Sequence, residues 1–287
     1  MRWEGDRQSE NVEDRRGMSV GGKGLAVGGI GTIVITLIAL YFGVDPSLIL
    51  NQVATAPPAA EQQQADPSSR GPEENKLAEF SSVVLADTED VWGQVFKQNG
   101  STYPNPKMVL YTGEVRSACG FAQAAMGPFY CPNDQKLYLD LSFFNDLHTR
   151  YGASGDFAQA YVIAHEVGHH VQNLMGILDK AHTAQGNASK EKANAIQVRV
   201  ELQADCLAGV WANKADQSKH ILESGDVEEA LAAASGVGDD RLQQQSRGYV
   251  VPESFTHGSS EQRMRWFSAG AKSGDVNQCN TFNAARL

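Results

Sequence analysis

His165-Glu166-Val167-Gly168-His169 constrains this chain more than any other segment. On an α-helix, residues four apart share a face, with Cβ atoms about 5–6 Å apart. His165 and His169 can therefore aim two imidazole nitrogens at one metal ion, and Glu166, one position round, stands beside it. This is the spacing of a helix that holds a catalytic zinc and supplies the carboxylate that accepts a proton from the activated water. Phe157, Ala160, Tyr161, Ala164, Val167, Val171 and Leu174 recur at helical spacing around it, after Asp156, the expected N-cap. Burying two imidazoles and an acid on so apolar a helix would be costly without a partner, which argues against incidental histidines. Gly168 costs about 1 kcal/mol of helix propensity relative to Ala, so its place in mid-helix points to close approach of another backbone or of a substrate. His170 lies about 100° round from His169 and cannot share the metal face; it is expected outside the metal's ligand set or at the surface.

A catalytic zinc takes three protein ligands and leaves a position for water, so one more ligand is needed. Residues 195–213 are helical in pattern, and Glu201 and Asp205 fall on one face of that stretch. Glu201 is read as the third ligand of a single Zn2+, and Asp205 as the acid that fixes the tautomer of a ligand histidine. Leu202, Ala204, Leu207, Ala208 and Trp211 leave little of this helix polar, against the alternative of two solvated acids.

With these residues in place, the chain resembles the neutral zinc metallopeptidases of bacteria (the YpfJ type) over nearly its whole length. The likeness runs through Met1-Arg2-Trp3, residues 11–17, Gly127-Pro128-Phe129-Tyr130-Cys131-Pro132, the histidine helix and the stretch Phe255 to Arg263. Glu201-Leu202-Gln203-Ala204-Asp205 is similar to the Glu-x-x-Ala-Asp segment of the CAAX-processing and HtpX-like zinc peptidases. In those peptidases a Thr-His-Pro segment is followed by an Arg. Here Thr256-His257 precedes Gly258 in place of the proline, with Arg263 at a comparable distance. The resemblance implies a zincin-like peptidase, with His257 donating to the oxyanion of the tetrahedral intermediate and Arg263 pairing with Asp205. The competing reading of His257 is a residue at a helix start, with Ser259 or Ser260 as the cap.

Residues 24–43 carry no charge and are long enough to cross about 30 Å of hydrocarbon. They read as a single membrane span. Arg15, Arg16 and Lys23 precede it and Asp45 follows, so charge bias places residues 1–23 in the cytoplasm as a tail and everything after the span in the periplasm or outside the cell. A cleaved signal peptide is the rival, since Ala54-Thr55-Ala56 has the form of a cleavage site; Pro57-Pro58 and the acidic amino-terminal tail weigh against it. Residues 51–76 are rich in Ala, Pro, Gln, Ser and Glu, and 44–76 reads as a disordered linker. The peptidase domain is then 77–287.

The four cysteines, Cys119, Cys131, Cys206 and Cys279, all lie beyond the span and permit three pairings. Cys119 with Cys131 and Cys206 with Cys279 is preferred, the second clamping the carboxy-terminal tail to the Glu201 helix. Four reduced thiols become the better reading if the topology is reversed. A helix is expected near 77–99 and strands near 108–112 and 136–142. The latter is a candidate edge strand for an extended peptide, although an interior place is equally open. Residues 179–194 read as a mobile loop at the cleft rim, Asp226 as a helix cap, and Asp239-Asp240 as a cap or a solvated turn. With 34 acidic against 24 basic residues, nucleic acid is not an expected partner. The sequence thus reads as a mainly helical α+β zincin-like domain with a small sheet behind one transmembrane helix, acting on protein or peptide substrates. A zinc-stabilised envelope scaffold without turnover is the alternative.

Overall fold

A computed structural model of the chain describes residues 1–18 and 71–287. It is mainly helical with a small sheet, as expected. The sheet runs in the order β1 (Val12–Asp14), β2 (Lys107–Tyr111), β6 (Lys136–Asp140), β5 (Phe129–Cys131). β1, β2 and β6 are parallel, and β5 closes antiparallel on β6. β3 (Glu114–Ser117) and β4 (Gly120–Gln123) form a separate hairpin. β6 is therefore an interior strand, and the edge belongs to β5.

The helices are α1 (Pro72–Gln98), α2 (Ser142–Thr149), α3 (Asp156–Leu174), α4 (Ile177–Gly186), α5 (Lys190–Lys219), α6 (Asp226–Gly236), α7 (Asp239–Arg247) and α8 (Ser260–Ser273). α3 carries the histidine motif and packs against α1, α5 and α6. Its Phe157 stacks on Trp211 of α5, both fully buried, with ring centroids 5.8 Å apart. Two glycines let main chains come close. A Cβ on Gly168 would sit 3.0 Å from the Ala204 carbonyl oxygen of α5, and one on Gly270 of α8 would overlap the Cys206 carbonyl. The mid-helix glycine of the motif thus answers to a neighbouring backbone.

Several local expectations are corrected. Gly155 is the N-cap of α3 and Asp156 its first residue; Asp226 likewise opens α6 behind Gly225. The 179–194 stretch is not a loop: it is most of α4 and the start of α5, where Ser189 caps by accepting from the Lys192 amide. Small and polar residues favour helix here because Leu178 and Ala181 face the core.

The larger correction concerns the amino terminus. Met1–Arg16 is no detached tail; it forms one compact unit with the residues from 71 onward, so the folded body does not begin near 77. Trp3 packs edge-on against Phe80 at 5.3 Å. The Ser9 hydroxyl donates to Glu89, Arg7 pairs with Asp90 at 2.7 Å, and Arg16 is buried between Asp14 and Glu74. The Met1 ammonium lies 2.6 Å from Asp156. These charges look like a solvated tail in sequence because their partners stand on distant elements.

The expected span at 24–43 and nearly all of the linker lie outside the described residues. Among the described residues, no helix is long and apolar enough to cross a membrane. β1 is hydrogen-bonded to β2, so Met1–Arg16 is part of the same folded unit as the residues from 71 onward.

Both preferred cysteine pairs are bonded, Cys119–Cys131 and Cys206–Cys279. The second closes 73 residues of separation; on chain-entropy grounds such a loop contributes about 4 kcal/mol.

Candidate active site

α3 and α5 lie against each other at Gly168, and this contact brings the motif face of one to the acidic face of the other. Glu201 Oε2 is 3.2 Å from His165 Nε2 and 3.5 Å from His169 Nε2. The three donor atoms of His165, His169 and Glu201 all lie within 4.8 Å of one another.

The remaining atoms of these side chains are held from behind. His165 Nδ1 is 2.9 Å from Asp205 Oδ1, and His169 Nδ1 is 2.8 Å from Gln172 Oε1. Both partners are acceptors, so each Nδ1 carries a proton, and a metal ion placed between the three groups would take the Nε2 lone pairs and Glu201 Oε2. Glu201 Oε1 accepts from Gln197 Nε2 at 2.8 Å, which leaves Oε2 for the shared centre. Two imidazoles, neutral once a metal takes the place of their Nε2 protons, and one carboxylate make a donor set that suits Zn2+, and the held Nδ1–H groups fit that ion.

Asp205 is fully buried and is the hub of the support. Arg263 Nε and Nη2 donate to its two oxygens, each at 2.8 Å, and the Tyr161 hydroxyl donates to Oδ1 at 2.5 Å. Burial alone would raise the Asp205 pKa, but Arg263 and then His165 outweigh it and bring it down to about 2. Burial likewise disfavours charge on His165, yet Asp205 and Glu201 raise its pKa to about 10. This is a pocket that calls for positive charge between its carboxylates.

Glu166 lines the adjoining cleft of about 950 Å³ together with His165, His169, Glu201 and His257. Met126, Pro128, Phe129, Phe143, Tyr151, Leu178 and Leu242 make its apolar walls. His257 is half-exposed on the rim, where Asp239 lies 3.2 Å from its Nδ1 and raises its pKa. The helix-start reading holds for its neighbours, since Ser259 and Gln262 form a capping box at the start of α8. The turn nevertheless places His257 in the cleft.

His170 is outside the ligand set, but it is fully buried rather than at the surface. Its Nδ1 is 2.9 Å from the Tyr130 hydroxyl and its Nε2 is 2.8 Å from the Pro104 carbonyl, so it ties β5 and the 104 loop to α3. Asn173 adds a bond to the same hydroxyl at 3.0 Å.

Sequence reasoning missed Tyr161, Gln172, Gln197 and Asp239. The first three stand three or four residues from a ligand on its own helix, a spacing that could have found them. Asp239 comes from a separate helix, and no spacing points to it. A second acidic group, Asp156, Asp226 and Glu229, lies apart from the motif; the Met1 ammonium and the Phe157 amide bond to its oxygens.

The family model described as "Putative neutral zinc metallopeptidase" matches residues 1–282. The chain is 53% identical over 290 residues to the protein YpfJ of Escherichia coli, an alignment covering 98% of this chain and 99% of that one. It is 43% identical over 262 residues to a protein of Mycobacterium tuberculosis, covering 87% and 86% respectively. No solved structure matches.

Proposed function

The chain belongs to this zinc metallopeptidase family, and from that premise we propose that it hydrolyses peptide bonds with one zinc ion held by His165, His169 and Glu201. The observation that carries the reading is the convergence of those three donors within 4.8 Å beside an apolar cleft that Glu166 also lines. When bound, zinc supplies a Lewis acid that polarises the carbonyl and makes water more acidic.

Glu166 accepts the proton of the attacking water and later delivers it to the departing amine. It is suited to this because, among the described residues, no ion pair or hydrogen bond engages its carboxylate. His257 donates from the rim to the oxygen of the tetrahedral intermediate, a role in which one donor is commonly worth about 2.7–4 kcal/mol. Arg263, Tyr161 and Asp205 hold His165, and Gln172 holds His169. β5 offers its outer edge to an extended substrate: Phe129 and Tyr130 line the cleft, whereas β6, behind them, contributes nothing to that lining.

We place the folded body in an oxidising compartment, outside the cytoplasm, because two disulfides persist there and rarely in reducing cytosol.

The test is metal content and cleavage on the full chain. One zinc per chain, with cleavage of unfolded β-casein that a chelator abolishes and added zinc restores, supports the proposal. One bound zinc with no cleavage of β-casein or of a peptide library favours the non-catalytic scaffold.

A further inference from the structure

The acid pair at the start of α7 does not cap its own helix: no side chain caps α7 at Gly238. Its oxygens cross instead to the 256–260 turn. Asp239 Oδ2 accepts from three consecutive amides, Thr256 at 2.7 Å, His257 at 2.6 Å and Gly258 at 3.2 Å. The Asp239 amide returns a bond to the Gly258 carbonyl at 2.9 Å. Asp240 does the same for the next residues, accepting from the Ser260 amide at 2.7 Å and its hydroxyl at 2.9 Å. Asp239 Oδ1 is then left facing the His257 ring, 3.2 Å from Nδ1. The carboxylate is buried while the ring it faces is half-exposed at the cleft.

An oxyanion donor must present an N–H. A neutral imidazole that gives its Nδ1–H to a carboxylate has only a lone pair on Nε2, so it cannot donate into the cleft from there. A doubly protonated ring can do both. We propose that Asp239 is the positioning residue of the oxyanion donor: it fixes the turn that carries His257 and holds Nδ1–H, so that Nε2–H is the group presented to substrate. The proposal rests on the reading of His257 as that donor.

The charged groups that bear most on His257 are Asp239 on α7, Glu201 on α5 and Arg263 on α8. The two acids favour the protonated ring and the arginine opposes it. Asp239 is the one in hydrogen-bond contact. The Thr256 hydroxyl, also 3.2 Å from Nδ1, is neutral and can satisfy either ring state.

Asp239→Asn separates charge from shape, because its carbonyl oxygen can still accept the three amides. In zinc-loaded full-length protein with 15N-labelled histidine, the His257 ring pKa followed by NMR should fall by about one pH unit or more in this variant. Steady-state cleavage of β-casein peptides should show kcat down about tenfold or more with KM within about twofold. In a His257→Ala background, the same Asp239→Asn change should produce no further loss.

The proposal is overturned if His257 titrates alike with Asp or Asn at 239, or if the Asn change slows kcat equally with and without His257. If the zinc-loaded protein cuts no peptide, the peptidase reading fails on its own, and the NMR titration still decides whether Asp239 controls the ring.

Discussion

Arg263 holds Asp205 in a two-point grip, Nε to Oδ2 and Nη2 to Oδ1, each at 2.8 Å, with both side chains almost fully buried. The pair ties α8 to α5 directly behind His165, so it joins the fold's packing to the site's chemistry. Its attraction is offset by the cost of burying two charges, but removal of one partner strands the other. Arg263→Met should therefore destabilise the protein by about 3–5 kcal/mol, read as a lower urea midpoint. Asp205→Asn with Arg263→Met should recover part of that loss.

Gln172 makes a narrower prediction. Its carbonyl fixes His169 Nδ1, while its amide donates to the Val200 carbonyl and to Gln203, each within 2.9 Å. Gln172→Ala should weaken zinc binding about 10- to 100-fold, measured by competition with a chromophoric chelator, while far-UV circular dichroism stays unchanged.

Gly168 sets two effects against each other. Alanine there gains about 1 kcal/mol of helix propensity. Its Cβ would press on backbone of α5, the Ala204 carbonyl oxygen at 3.0 Å and Cα at 3.2 Å. Backbone held by helix hydrogen bonds yields poorly, and overpacking costs about 1–3 kcal/mol. Gly168→Ala should lower the melting temperature and zinc affinity together.

The site was legible in the sequence where it follows one helix at a time. His165, Glu166 and His169 repeat at helical spacing, as do Glu201 and Asp205, and resemblance supplied Arg263, which does meet Asp205. What the sequence hid is contact between distant elements. β5 has three residues and no periodicity of its own; it is an edge only because β6 pairs with β2. The amino-terminal arm looks like solvated charge until Glu89, Asp90 and Glu74 of α1 are brought to it. Asp239 meets His257 only through the packing of the α7 start against the 256–260 turn.

Glu13 on β1 tests the docking of that arm by pH. Partial burial would raise its pKa, but Lys136 and Arg15 bring it from 4.5 down to about 2. A depressed carboxylate contributes stability that is fully present above the unfolded value and is lost as pH falls through the folded one. Protection factors of the β1 amides and their partners on β2, with intrinsic exchange divided out, should therefore be constant above about pH 5 and fall between about pH 4 and pH 2. Glu13→Gln should flatten that acid dependence.

On the proposed mechanism, Glu166 moves the proton while His165, His169 and Glu201 hold the metal. Glu166→Gln changes a single atom beside the ligands and removes the base. The most direct measurement is zinc content and β-casein cleavage on the same preparation of this variant. One zinc per chain and loss of cleavage by about a hundredfold or more are expected; wild-type cleavage by the zinc-loaded variant would rule out Glu166 as the base.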